Sequence, residues 1–269
     1  MKIATWNVNG IRARQVEVLE WLARERPDVV CLQEIKAAPE QIPAALAELP
    51  DYWGYWHGAK GYSGVGLLVS KALAPTRPTF SHPPFDHETR IVIAELAPRA
   101  DPGGGAGSTP SLSVASVYVP NGGKDLAAKM TFLNELVAWA GALEADGKHL
   151  VLCGDYNVAR TDLDVHPMLR KPMIGQTAAE RALIEAFFGY GLVDVGRHVD
   201  PDNDRLFTWW APWRNLRQRN IGWRLDYIAA SKALVDETVH CVAYREVGTS
   251  DHAPVIAHLR DAPLSAPAP

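Results

Sequence analysis

Leu150-Val151-Leu152-Cys153-Gly154-Asp155-Tyr156-Asn157 is four apolar residues running into a glycine and then an acid, a phenol and an amide. A short apolar run closed by a turn residue reads as a buried β-strand. Its end carries groups for which a buried strand has no use, and the same event recurs along the chain. Lys2-Ile3-Ala4-Thr5-Trp6 stops at Asn7, Val29-Val30-Cys31-Leu32-Gln33 stops at Glu34, and Val114 to Val117 stops at Tyr118. Near the C-terminus Asp251-His252 precedes an apolar run over 255–259. In folds of strands and helices the strand ends open onto a common rim, where groups remote in sequence converge. One such ending carries little information. Five of them, supplying carboxylates, amides, a phenol and an imidazole, describe an active site for a hard divalent cation.

Outward from these ends, strand patterns cover roughly 2–7, 28–34, 65–69, 91–96, 112–119, 150–153, 225–230, 239–244 and 255–259. Helical patterns lie near 15–26, 40–48, 126–145 and 178–190. Phe132, Leu133, Leu136, Val137, Ala140 and Leu143 share one helical face, and Thr177-Ala178-Ala179-Glu180 has the S/T-x-x-E form of a capping box. The fold class is therefore α/β (α+β). Functional-looking residues come from both halves of the chain, so a single domain over 1–260 is expected, with a flexible Ala/Pro-rich tail over 261–269. The stretch Pro98 to Ser108, with glycines at 103–105 and 107, reads as a flexible hairpin loop.

The 269 residues are 47% hydrophobic and 22% charged, which excludes a disordered chain. No stretch reaches the ~18 apolar residues of a membrane span, and no signal-peptide pattern opens the chain. Cys31, Cys153 and Cys241 each sit inside an apolar run. An odd count without CxxC spacing argues against zinc and disulfides and for reduced thiols, so a cytoplasmic location is expected. A net charge of −4 lends nucleic-acid binding no global support. Acidic metal ligands are neutralised by their cation, however, and positive charge is locally concentrated. No obligate protein partner is legible, and a monomer is the default.

Asn7, Glu34 and Asp251 offer oxygen donors, with His252 and Asn157 beside them. Carboxylates and amides suit Mg²⁺, with Mn²⁺ able to substitute, better than zinc. Asp226 interrupts Leu225-Asp226-Tyr227-Ile228 where a buried strand should be apolar. A buried carboxylate needs a partner, and His252 would satisfy it and become more basic in return. Asp155 could instead hold the proton or bind a second metal, and the sequence leaves that choice open. Tyr118 is placed to bind a phosphate, although singly it also fits an ordinary strand tyrosine.

Seven segments stand in the order of one family. They are Trp6-Asn7-Val8-Asn9-Gly10-Ile11-Arg12-Ala13, Leu32-Gln33-Glu34-Ile35-Lys36, Gly61-Tyr62-Ser63-Gly64-Val65-Gly66, Tyr118-Val119-Pro120-Asn121-Gly122, Gly154-Asp155-Tyr156-Asn157, Gly222-Trp223-Arg224-Leu225-Asp226-Tyr227 and Ser250-Asp251-His252-Ala253-Pro254. From residue 2 to about 259 the chain resembles the exonuclease III-type apurinic/apyrimidinic (AP) endonucleases of the endonuclease/exonuclease/phosphatase superfamily. The resemblance implies a four-layer α/β sandwich of two packed mixed β-sheets flanked by helices. It implies Mg²⁺-dependent hydrolysis 5′ to abasic sites in duplex DNA, leaving a 3′-OH, together with 3′–5′ exonuclease activity on blocked 3′ ends. Carried over by motif, Asn7, Glu34 and Asp251 hold the principal metal. Asp155 and Asn157 activate the nucleophile or hold a second metal, His252 with Asp226 contacts the phosphate or acts as base, and Tyr118 binds that phosphate. Arg12, Lys36, Tyr62, Asn121 and Lys124 would contact the DNA backbone, and Trp209, Trp223 and Leu225 would form the pocket for an extruded abasic sugar.

Phe207 to Arg224 holds four Trp and four Arg, a stacking and basic surface within an acidic chain. That stretch favours DNA over the main alternative, a superfamily phosphoesterase acting on a small molecule. Gly196 stands where relatives carry Phe, and the later part of Asp162 to Pro172 departs from the common pattern. Neither removes a catalytic group; both bear on duplex contacts and on the balance between endonuclease and 3′-exonuclease activity.

Overall fold

Side chains alternate across a strand, and that alternation sorts this chain into two sheets around one shared core. The computed structural model describes residues 1–96, 111–236 and 239–259, so the glycine-rich loop near 103–107 and the tail over 261–269 lie outside the described residues. The first sheet has the order β11 (His240–Ala243), β12 (Val255–His258), β1 (Lys2–Asn7), β2 (Val29–Gln33), β4 (Tyr62–Ser70), β3 (Tyr52–Ala59). The second runs β5 (Thr79–Ser81), β6 (Ile91–Leu96), β7 (Leu112–Tyr118), β8 (His149–Asp155), β10 (Asp226–Ser231), β9 (Leu192–Asp194). Each is mixed: β1–β2 and β7–β8 pair in parallel, the other neighbours antiparallel.

Ile3, Cys31, Leu67, Val92, Val114, Cys153 and Ile228 fill the space between the sheets. The opposite faces are covered by helices. Trp6 and Leu32 pack against Trp21 of α1 (Gln15–Glu25) and Leu46 of α2 (Ala44–Ala47). Val117 and Leu152 pack against Phe132 and Leu136 of α3 (Leu126–Ala145) and Phe187 of α4 (Ala178–Phe188). The expected four layers, helix–sheet–sheet–helix, are what the chain forms. The helix expected near 40–48 is instead a 3₁₀ turn at Pro39–Gln41 followed by the single turn of α2. Pro43 divides them, because it has no N–H and disfavours helical backbone in the residue before it. The strands β3, β5 and β9 and the short α5 (Val195–Val199) were not anticipated. In β3, Trp53, Tyr55, Trp56 and His57 are all half-buried, so the expected alternation is missing.

Pairing places the ends of β1, β2, β7 and β8 on one rim, where β4, β6, β10 and β12 begin. On one rung of the second sheet Tyr118 stands opposite Asp155, and Asp155 opposite Asp226. Gly154 permits that rung. A side chain there would meet the Val117 carbonyl at 1.8 Å.

Behind this rung lies a buried ion network. Arg224 donates to Asp164 (Nε, 2.7 Å) and in bidentate fashion to Asp194 (2.7 Å on each nitrogen), while Arg197 reaches Asp164 at 2.6 Å. Burial alone would raise both acids, but the Arg224 guanidinium holds them below the ordinary 3.8. Arg224→Met would leave two buried carboxylates poorly compensated and is expected to cost about 3–5 kcal/mol in urea unfolding. Because the folded pKa values are depressed, the unfolded chain binds more protons below the ordinary carboxylate range. The network's contribution is therefore full above that range and lost as pH falls through the folded values. Stability measured from neutral pH down to acid should fall more gently in Arg224→Met than in the parent chain.

Candidate active site

The rim gathers Asn7, Glu34, Tyr118, Asp155, Asn157, Asp226 and His252. Asn7 sits at the end of β1 and donates its side-chain amide to Glu34 Oε1 and Asp155 Oδ2, both at 3.0 Å, so one amide holds a carboxylate from each sheet. Its carbonyl oxygen accepts from the Asn9 N–H at 3.0 Å. Asn157 steadies Asp155 from the other side, with its backbone N–H on Oδ1 (2.9 Å) and its amide on Oδ2 (3.2 Å). His252 Nδ1 lies 2.8 Å from Asp226 Oδ2, and His252 Nε2 lies 3.8 Å from Asp155 Oδ2. Glu34, Asp155 and His252 offer ligand atoms that all lie within 4.8 Å of one another, a group able to hold a metal ion. Asp251 is adjacent, with Oδ1 on the Asn9 amide (2.8 Å) and Oδ2 on the Trp209 indole (3.0 Å). Glu34, Asn157, Asn9 and Lys36 all have positive φ between 45° and 52°. Such backbone costs of order 1–3 kcal/mol per residue and clusters where function fixes geometry.

The acids are crowded enough to perturb one another. Burial pushes Asp155 up to about 7; His252 opposes this, and Asp226 and Glu34 reinforce it. Burial would lower His252, but Asp226 and then Asp155 outweigh it and keep the imidazole readily protonated, well above its ordinary range. Glu34 is pulled down despite burial by its bonds to Asn7 and to Lys36, whose Nζ is 2.8 Å away. Burial, then Glu34 and Asp155, raise Tyr118, which stays a phenol and a donor.

Around this centre the remaining sequence candidates fall into two groups. Tyr62, Asn121 and Lys124 line a cleft of about 300 Å³ beside Tyr118, with the Lys124 ammonium 5.3 Å from the Tyr62 ring centroid. Trp209, Trp223 and Leu225 pack with Val165 and Ala159, the two indoles meeting edge-on at 5.8 Å. Lys36 is turned to Glu34 and Asn9, and Arg12 is exposed on the turn after β1. Three contributors were not singled out from the sequence. Arg90, 2% exposed, lies 4.6 Å from the Tyr118 ring centroid and donates to the Tyr62 hydroxyl at 3.0 Å. Asn9 links Lys36 to Asp251. Lys129, fully buried on α3, donates to the Asn157 carbonyl at 2.7 Å and pairs with Glu180 at 2.6 Å. Its sequence signal was available: a lysine three to four residues before Phe132 and Leu133 continues their apolar face.

Residues 4–252 match the Endonuclease/Exonuclease/phosphatase family. The chain is 33% identical over 268 residues to the DNA repair nuclease APEX1 of Danio rerio, covering 96% of this chain and 82% of that one. It is also 33% identical over 264 residues to an exodeoxyribonuclease of Bacillus subtilis, covering 95% and 98%. Its fold superposes on an AP endonuclease from Archaeoglobus fulgidus with a TM-score of 0.77, at 29% identity over 96% of this chain and 99% of the other. Two packed sheets with this rim define a hydrolase of the nuclease class. The chain belongs to the endonuclease/exonuclease/phosphatase family.

Asp226→Asn would keep the shape of the His252 partner while removing its charge and favouring the wrong tautomer. Phosphodiester cleavage is expected to fall by about 10²–10⁴-fold with an unchanged circular dichroism spectrum. A loss below tenfold in steady-state assays would exclude a catalytic Asp226–His252 pair.

Proposed function

We propose that this chain is a Mg²⁺-dependent AP endonuclease of DNA repair, which hydrolyses the phosphodiester 5′ to an abasic site to leave a 3′-OH and also processes 3′ ends. The observation that carries this reading is the apolar cluster of Trp209, Trp223 and Leu225 packed beside the acidic group: Trp209 backbone-pairs with both Trp223 and His252. A nucleotide without its base has no stacking or pairing to lose, so extruding it costs less than the few kcal/mol of an intact one. We read this cluster as the surface on which the extruded bare sugar would seat.

Glu34 and Asp251, with Asn7 and Asn157 around them, would hold the cation, leaving Asp155 and His252 to water and phosphate. Two carboxylates with amide neighbours suit Mg²⁺ or Mn²⁺ better than zinc. When bound, the ion supplies positive charge to a phosphate oxygen and to the leaving oxygen. Asp155, oriented by Asn7 and Asn157 and raised to about 7, takes the proton of the attacking water, a value suited to a general base. His252, kept cationic by Asp226, donates from Nε2 to the phosphate, and Tyr118 donates its phenol to the same group. Lys124, Asn121 and Tyr62, with the buried Arg90 behind them, grip the flanking backbone, a salt-sensitive contact without base readout, to which Lys36 and Arg12 add charge.

The test is a labelled duplex with one tetrahydrofuran abasic analogue, incubated with Mg²⁺, Mn²⁺ or EDTA beside an undamaged duplex. A single metal-dependent cut 5′ to the lesion is expected. Shortening from the 3′ end alone would make the chain an exonuclease, and an untouched duplex would direct the search to small phosphoesters. Glu34→Ala is expected to abolish the cut nearly completely while leaving the fold intact; retained activity with an undiminished Mg²⁺ response would overturn its role as a ligand.

A further inference from the structure

The edge strands β3 and β5 bring a second cluster of titratable side chains together at the lateral border between the two sheets. The Tyr55 ring stacks on Phe80 with centroids 5.2 Å apart, and its hydroxyl lies 3.0 Å from His82 Nε2. The His82 ring stacks on His57 at 3.7 Å, and His57 Nε2 lies 2.5 Å from Asp86 Oδ2. All three residues are half-buried, and ligand atoms of His57, His82 and Asp86 lie within 4.8 Å of one another. None of them belongs to the Glu34–Asp155–His252 group, and the proposed chemistry uses none of them.

We propose that His57, His82 and Asp86 form a second metal site, one that takes a first-row transition cation of the zinc class. Two of the donors are already aimed. His82 Nδ1 lies 3.0 Å from the Ile91 carbonyl, which fixes the proton there and leaves Nε2 with its lone pair outward. Asp86 Oδ1 accepts from the N–H groups of Arg90 (2.7 Å) and Ile91 (2.9 Å), which leaves Oδ2 for a ligand. Outer bonds of this kind, a carbonyl behind an imidazole and amides behind a carboxylate, orient metal ligands generally. Two imidazole nitrogens and one carboxylate oxygen suit Zn²⁺, Co²⁺ or Ni²⁺; Mg²⁺ favours oxygen ligands.

The distances leave a modest adjustment. Tetrahedral zinc with bonds of ~2.0 Å sets its ligand atoms ~3.3 Å apart, so His57 Nε2 and Asp86 Oδ2, now 2.5 Å apart, must separate to admit it. Entry of the ion replaces that hydrogen bond, transfers the His57 Nε2 proton to solvent, and displaces the Tyr55 hydroxyl from His82 Nε2. Water completes the coordination. The occupied site clips the border of one sheet to the β5–β6 loop of the other. That loop carries Arg90, whose guanidinium lies over Tyr118, so the cation acts as a structural clamp beside the catalytic rim.

Co²⁺ is the probe. Protein stripped with EDTA and desalted is titrated with Co²⁺ in excess Mg²⁺, and visible d–d absorption and thermal unfolding are followed. One equivalent of Co²⁺ should give a visible band that Zn²⁺ displaces, and Zn²⁺ should raise the unfolding temperature. His57→Gln and His82→Gln should each weaken binding by more than the ~10–100-fold typical of losing an outer partner. Glu34→Gln should retain the band, and Tyr55→Phe, which frees His82 Nε2, should tighten binding. A second readout needs no substitution: histidine-ring ¹H–¹⁵N spectra of the parent chain should show two imidazole Nε2 signals moving on Zn²⁺ addition. The proposal is overturned if no band appears, if the band survives in His57→Gln and His82→Gln, if Glu34→Gln removes it, or if no histidine signal moves.

Discussion

Gln33 and Ser116 join the two sheets through their buried polar layer: Gln33 Nε2 donates to Ser116 Oγ, Ser116 donates to the Leu32 carbonyl, and Thr5 donates to Gln33 Oε1. These bonds sit on a gradient that runs along the five strands reaching the rim. Along the face between the sheets, β1 reads Ile3, Thr5, Asn7 and β2 reads Val29, Cys31, Gln33, while β7 reads Val114, Ser116, Tyr118 and β8 reads Val151, Cys153, Asp155. β10, running the other way, reads Ala230, Ile228, Asp226 toward the same rim. The inner layer is thus apolar at depth, hydrogen-bonded in the middle and ionisable at the edge. A slip of one residue in any strand would turn Trp6 or Leu32 inward and drive a carboxylate against the helices, so the register of the core and the geometry of the site are one constraint.

The rim is costly in itself. Glu34, Asp155 and Asp226 converge on one rim, Asp226 Oδ1 is buried without a hydrogen-bond partner among the described residues, and several residues hold left-handed backbone. Each of these works against folding. The opposing terms are the apolar layers on both faces of both sheets and the fully satisfied Arg224–Asp164–Asp194 and Lys129–Glu180 pairs behind the site. The pairs do more than offset charge. Lys129 holds the Asn157 carbonyl, and Arg224 lies between Trp223 and Leu225, so stability and positioning rest on the same side chains.

The strand ends were legible because a buried strand has a short apolar signature and an ionisable residue at its end breaks it. The apolar signature found all eight inner strands, and its interruptions found the acidic cluster. It failed at β3, where aromatic residues are half-buried on both faces, and at 40–48, where a proline interrupts an otherwise helical pattern. It also said nothing of orientation. Asn7 could be read as an oxygen donor, but not as a residue whose amide hydrogens also gather two carboxylates while its oxygen accepts from the Asn9 N–H. Arg90 escaped notice because an arginine before a strand is an ordinary surface residue in sequence. Only the pairing of β6 with β7 sets it against Tyr118.

The same pairing logic joins selection to chemistry on the proposed reading. Trp209 bridges backbone-to-backbone with Trp223 on one side and His252 on the other, and its indole binds Asp251. Gly222 makes this close approach possible, since a side chain there would lie 2.4 Å from the Trp209 carbonyl. The apolar cluster and the imidazole are therefore tied to each other through the backbone. On the proposed reading, a sugar seated on the cluster would lie beside His252. Discrimination then arises from whether the substrate can be extruded and seated, and needs no contact that reads a base.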